Sequence, residues 1–318
     1  MNPGNRRAIY AALMANSGIA ILKFVGWSFT GAASLLAEAV HSVADASNQG
    51  LLLWGNTAAK RAPTAAHAFG YGRERYFWAF VVAMVIFSLG GLFALYEGIT
   101  KVLHPHELQD PSWAIGILLI GIVFETLSLR TAIQAARQSM IQPNWWIYIR
   151  RTKNPELPVI LLEDLGALLG LMLALAGISL AIWTGDSRFD ALGSISIGLL
   201  LVVIAVLLAV EMKSLLIGES AAPGNEALIE ASAMAHPSVI RLIHLRTQHI
   251  GPDQVLVGAK VEFDSELSLD SLTQVIDEVE TAIRVALPFS ALIYIEPASS
   301  SASNEPATGE EPPSPDED

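Results

Sequence analysis

Uninterrupted apolar stretches recur along the first two-thirds of this 318-residue chain, each close to the length that crosses a bilayer. Roughly 20 apolar residues in a helix span the hydrocarbon. A backbone in lipid must satisfy its own hydrogen bonds, which leaves helices or closed barrels. The pattern predicts six helical spans: Ala8–Phe29, Ala33–Thr57, Tyr76–Gly98, Ser112–Ala135, Pro158–Trp183 and Phe189–Met212. The first run is too long for a cleaved signal peptide, and no small-residue cleavage site follows it. The expected fold is therefore a membrane all-α six-helix transmembrane bundle over residues 1–218.

Basic residues near span ends set the expected orientation. Arg6 and Arg7 precede the first span, Lys60, Arg61, Arg73 and Arg75 follow the second, and Arg137, Arg150, Arg151 and Lys153 follow the fourth. The opposite loops, Thr30–Ala32, His104–Pro111 and Thr184–Arg188, hold a single Arg. Both termini are expected in the cytoplasm, and the aromatic-basic segment Trp145 to Arg151 reads as an interfacial anchor.

After Gly218 the pattern becomes that of a small soluble domain, residues 219–297. Asn225–Ala235 and Ser271–Leu287 have helical apolar spacing, the latter through Leu272, Val275, Ile276, Val279 and Ile283. Val239–Gln248 and Gln254–Phe263 alternate as strands around Gly251-Pro252, and Ala291–Glu296 is a third. The order helix–strand–strand–helix–strand predicts a cytoplasmic α+β domain of ferredoxin-like kind. Residues 298–318 are rich in Ser, Pro and Glu and are expected to form a disordered acidic tail.

The net charge of −12 is concentrated here. Residues 219–318 carry 18 acidic and 4 basic groups, against 13 and 15 before them. Phosphate binding needs clustered Lys and Arg, so nucleic acid is not an expected partner.

Ionisable residues inside the spans are the functional signal. Each costs roughly 2.5–3.5 kcal/mol at the bilayer centre on insertion scales, so such groups face a cavity or a partner. His41 and Asp45 lie four residues apart and share one helix face, and Glu38 lies on that face three residues earlier. Glu163 and Asp164 are adjacent in the fifth span. With no cysteine in the chain, a metal must be held by His, carboxylates and water. An imidazole and carboxylates on facing helices suit a divalent cation. Such ligands bind metal when deprotonated, so binding releases protons. His41, with a reference pKa near 6.5, is the expected proton carrier. No nucleotide loop of the G-x-x-x-x-G-K-[ST] type occurs.

At the residues Asn16, Lys23, Ser34-Leu35-Leu36-Ala37-Glu38-Ala39-Val40-His41-Ser42-Val43-Ala44-Asp45, His67-Ala68-Phe69-Gly70-Tyr71-Gly72-Arg73 and Asp190-Ala191-Leu192-Gly193-Ser194 the chain resembles the cation diffusion facilitators. The resemblance runs from about Ile9 to Pro297. Leu161-Leu162-Glu163-Asp164 after Asn154-Pro155-Glu156 is most similar to the zinc transporter 9 branch. It implies a homodimeric exporter that exchanges cytoplasmic divalent transition metal, zinc first, for protons, with no prosthetic group and no enzymatic reaction. A multi-pass protein of a bacterial plasma (inner) membrane is expected.

The ligand set that the resemblance implies is His41, Asp45 and Asp164, with Glu38 as a pathway group. Relatives repeat a His or Asp four residues before the span-five acid, where this chain has Ile160. Glu163 then either reaches the site as fourth ligand or faces another helix, with water in its place. That oxygen-rich set also fits manganese, iron, cobalt or nickel. Arg73 and Glu219 are the candidate dimer interlock, and His67 is expected to form a turn. The positions aligned with regulatory zinc ligands hold Ile243, Lys260 and Tyr294, so the C-terminal domain is expected mainly to dimerise. The rival reading is a non-transporting membrane scaffold or metal sensor that retains the fold.

Overall fold

In a computed structural model, the structure describes residues 18–105, 108–139 and 144–298. The chain divides into two compact units, Met1–Ile217 and Gly218–Asp318.

The first unit is helical: α1 Gly18–Thr30, α2 Ala33–Ala59, α3 Glu74–Leu103, α4 Pro111–Ser139, α5 Trp145–Arg151, α6 Glu156–Thr184 and α7 Arg188–Ile217. Among the described residues four helices, α3, α4, α6 and α7, are long and apolar enough to cross a membrane, against the six spans expected. α2 has the length, 27 residues, but Glu38, His41, Asp45, Asn48 and Gln49 within it dilute its apolar character. α1 is described only from Gly18, and the predicted start of the first span at Ala8 lies outside the described residues.

Close helix approach builds the bundle. A side chain at Gly98 of α3 would meet Ile195 at 2.7 Å and the Ala191 carbonyl oxygen at 2.8 Å, both on α7. Small residues at such crossings let backbones pack tightly, the usual device where lipid removes the hydrophobic drive between helices. Leu35, Tyr76, Ile86, Leu118, Leu171, Ile197 and Leu201 are wholly buried in the resulting core. α7 turns Leu199, Val203, Val206 and Val210 outward at helical spacing, a contiguous apolar ridge suited to lipid.

Two local features depart from plain helix. Ile86–Leu92 in α3 is wound as a π-helix. The aromatic-basic segment expected as an anchor forms the short helix α5, whose cap Asn144 accepts from the Trp146 and Ile147 amides at 3.0 and 3.2 Å. His67 sits in a turn: its amide donates to the Thr64 carbonyl at 3.0 Å, and its ring stacks on Tyr71.

The second unit holds α8 Pro223–Met234, β1 Val239–Gly251, β2 Gln254–Phe263, α9 Leu269–Ala286 and β3 Ser290–Ala298. β2 is the central strand, antiparallel to β1 and parallel to β3, so the sheet is mixed. The two-residue turn Pro252-Asp253 sets the β1–β2 register, with Gly251 opposite Gln254. Alternate residues of β2, Val255, Val257, Ala259 and Val261, face one way. They pack with Ile229 and Ala233 of α8 and Val275, Val279 and Ile283 of α9. Ser268 caps α9 by accepting from the Ser271 amide at 3.2 Å. The tail predicted over residues 298–318 lies outside the described residues from 299 onward.

Candidate functional site

One face of α2 carries Ser34, Glu38, His41, Asp45 and Asn48, spaced by four, three, four and three residues. That spacing keeps them in a single stripe, and the stripe points into the bundle. Its members meet α1, α3, α6 and α7, so α2 organises the polar interior.

The stripe begins at the amino-terminal end of α2. Asp190 of α7 accepts from the Ala33 and Ser34 amides at 2.7 and 3.3 Å and from the Ser34 hydroxyl. It therefore caps a helix 156 residues away in sequence, satisfying amides that would otherwise lack acceptors. Lys101 of α3 pairs with Asp190 at 2.9 Å and donates to the Gly31 carbonyl at 2.5 Å. Gly31 has φ +62°, the left-handed conformation that ends α1 and turns the chain into α2.

One turn deeper, Lys23 of α1 donates to Glu38 at 3.0 Å and to Ser42 at 2.7 Å, with Lys23 and Glu38 wholly buried. Glu38 presses against Gly170 of α6, where any side chain would overlap its Oε1.

His41 and Asp45 follow. His41 Nδ1 and Asp45 Oδ1 are 3.5 Å apart, too far for a good hydrogen bond. Nδ1 lies beside Gly90 in the π-helical turn of α3. The Asp45 and Glu163 carboxyl groups are neighbours. Glu163 accepts from the Asn48 amide at 3.0 Å. Asp164, offset by about 100° on α6, instead accepts from Ser128 of α4 at 2.9 Å. Both acids line a cavity of about 240 Å³ with Leu52, Asn56, Ser128 and Ile160.

The structure thus brings His41, Asp45 and Glu163 into one chain of neighbours and sets Asp164 beside the adjoining cavity. Among the described residues, no three His, Asp or Glu side chains converge as a ready metal cage. Yet Glu38 Oε1, both His41 nitrogens, Asp45 Oδ1 and Asn48 Oδ1 are buried without hydrogen-bond partners. An unsatisfied buried polar atom costs about 1–3 kcal/mol. Five such atoms lie along one helix face over roughly three turns, with those of His41 and Asp45 at its middle.

Residues 9–217 match the family model described as the cation efflux transmembrane domain, and residues 223–298 match the cation efflux protein cytoplasmic domain. The chain belongs to the cation efflux family, the cation diffusion facilitators. Among its relatives, the mouse protein named proton-coupled zinc antiporter SLC30A9, mitochondrial, is 31% identical over 289 residues, covering 87% of this chain and 51% of that protein. Metal tolerance protein C4 of Arabidopsis thaliana is 30% identical over 267 residues, 83% of this chain and 58% of its own length. The cation-efflux pump FieF of Pectobacterium atrosepticum is 27% identical over 312 residues, covering 96% and 98%. The chain spans about half the length of the first of these relatives.

Within this cation efflux chain the remaining candidates are placed as follows. Arg73 directly precedes α3. Glu219 opens the second unit, its carbonyl accepting from the His249 amide at 2.8 Å. Lys260 pairs with Glu296 at 3.1 Å, and His236 pairs with Glu278 at 3.1 Å. His249 stacks edge-on against Phe289. Gln274 and His236 hydrogen bonds hold the Glu278 carboxyl below its usual range.

Sequence reasoning passed over Asn48, Ser128 and Glu125, and it noted Lys23 without a partner. Glu125 had a signal, being the only acid within the predicted fourth span. Asn48 lay in register with His41 and Asp45.

Proposed function

We propose that the chain is a secondary active transporter exporting a divalent transition-metal cation, zinc first, in exchange for protons. α1, α2, α3, α4, α6 and α7 are the six spans, both termini are cytoplasmic, and the working unit is a homodimer in a bacterial plasma membrane. The observation that carries this reading is the set of unpartnered buried donors on α2 beside Glu163. His41, Asp45 and Glu163 are the central contacts, Asp164 receives the ion from the cavity, and Glu38 lies further along its path.

Proton exchange follows from the same geometry. Asp45 and Glu163 are neighbours, and a cation that binds both displaces any proton their carboxyl groups carry. His41, with both nitrogens unpartnered, is the proposed proton carrier, since the reference imidazole pKa near 6.5 lies within the working range. Arg73 and Glu219 are the proposed dimer interlock. Transport rather than catalysis is proposed because the chain belongs to a family of cation efflux proteins.

Ile160 lines the cavity where a fourth ligand would stand, the one observation in favour of the scaffold or sensor reading. Zinc flux into proteoliposomes with a pH-sensitive dye inside separates the two. Expected are zinc uptake and opposite proton movement, both abolished by Asp45→Asn. Absence of flux from the unaltered chain would leave the scaffold reading standing.

A further inference from the structure

Asn48 belongs to the α2 stripe yet has no part in the central contacts. It is wholly buried, and its amide nitrogen donates to Glu163 Oε1 at 3.0 Å. An ionised carboxylate only accepts, so this bond sets the nitrogen toward Glu163 and turns the carbonyl oxygen away from it. That oxygen, Oδ1, is buried without a hydrogen-bond partner, and so is Asp45 Oδ1 three residues earlier on the same face. Each such acceptor costs about 1–3 kcal/mol. Residues three apart on a helix have Cβ atoms about 5–6 Å apart, and this spacing is one by which helical bundles aim two side chains at one metal ion. Glu163 is bonded to Asn48, neighbours Asp45 and lines the cavity. Gln49, Leu52 and Asn56 of α2 line it too, so Asn48 stands between the cavity and His41 along the helix. His41 itself is seven residues from Asn48, about 10.5 Å along the axis, too far for an imidazole and an amide to share one ion through bonds of about 2 Å. Asp45 reaches both, since its Oδ1 is 3.5 Å from His41 Nδ1.

We infer that Asn48 Oδ1, Asp45 and Glu163 form a second, all-oxygen cation position on the cavity side of His41, from which the ion passes to the imidazole by way of Asp45. This rests on the transport reading above and adds a neutral ligand to it. Two carboxylates balance a divalent charge, and an amide oxygen adds a ligand without adding a charge that the membrane interior would penalise. Carboxylate and carbonyl oxygens suit manganese as well as zinc, so this position discriminates little and the imidazole beyond it supplies preference.

The test is manganese binding to the full detergent-solubilised chain, read by loss of the free-ion electron paramagnetic resonance signal, with the thermal midpoint as a check on folding. His41→Ala is expected to keep most of the manganese affinity. Adding Asn48→Ala is expected to weaken it by at least the roughly tenfold that loss of even an outer metal partner costs. Adding Asn48→Asp instead, which keeps an oxygen and gives up the amide donor, is expected to retain it. Equal loss in the two Asn48 variants, the mark of an amide that merely holds Glu163, would overturn the inference. So would unchanged binding in Asn48→Ala, or loss of manganese with His41→Ala alone at an unchanged midpoint. Zinc flux by the unaltered chain keeps the two readings apart: no flux from a chain that binds manganese through Asn48 would sink transport and leave the site.

Discussion

Replacing Lys101 with Met isolates the ion pair that closes the amino-terminal end of α2. Lys101 is 3% exposed and Asp190 is 0% exposed, so neither charge is relieved by water. Removing one partner of such a pair costs about 3–5 kcal/mol, because the other is left buried and uncompensated. Asp190 retains three donors from Ala33 and Ser34, which places Lys101→Met near the lower figure, about 3 kcal/mol. For a helical unit of this size, about 1 kcal/mol moves the midpoint by roughly 2–4 °C, giving a fall of roughly 6–12 °C. Asp190→Asn alone weakens the α2 cap and leaves the Lys101 ammonium unpaired. The double variant loses both charges and is expected to be less destabilised than the sum of the singles by about 1–3 kcal/mol. Thermal unfolding of the detergent-solubilised chain, followed by circular dichroism, measures all four corners of the cycle. A shift under about 2 °C for Lys101→Met, with additive singles, would refute the argument that this pair is a buried, coupled lock.

Other substitutions test the site itself. Gly170→Ala drives a methyl into Glu38 Oε1; zinc flux is expected to fall severalfold while the circular dichroism spectrum is retained, and unchanged flux would remove Glu38 from the path. Ile160→His places an imidazole on the cavity wall beside Glu163 and Asp164; competition uptake is expected to shift toward zinc over manganese by about tenfold. In the second unit, the Glu278 carboxyl is held low by Gln274 and His236. A depressed carboxyl contributes stability above its unfolded pKa and loses it as pH falls through the folded value. Carbon-13 NMR titration should therefore find Glu278 below the ordinary glutamate range, with Gln274→Ala moving it upward.

How far the sequence reaches differs between the two units. In the second, β2 falls at the predicted Gln254–Phe263, and α9 begins two residues before its predicted start. Strict alternation, an amphipathic stripe and a serine cap are local signals, and a small two-layer fold obeys them. In the first unit, apolarity announces helices but cannot say which way each one turns. Glu163 and Asp164 are neighbours about 100° apart, and only the α2–α6 packing decides that Glu163 meets Asp45. Ser128 bonds Asp164 only because the α4–α6 register sets them side by side. Lys101 and Asp190 are 89 residues apart, and no spacing rule joins them. Four of the six expected spans meet the apolar criterion among the described residues, and α2 carries a polar stripe along the face it turns inward.

The π turn at Ile86–Leu92 has a consequence for how α3 is phased. A wider coil absorbs a surplus residue, so the halves on either side follow independent angular schedules. The first half sets Tyr76 and Ala79 into the core, while the second brings Gly98 onto α7. Rewinding this stretch to regular α pitch with no residue removed would swing one half by about 100° relative to the other. Gly98 would then leave its seam, and Gly90 would no longer stand beside the imidazole of His41.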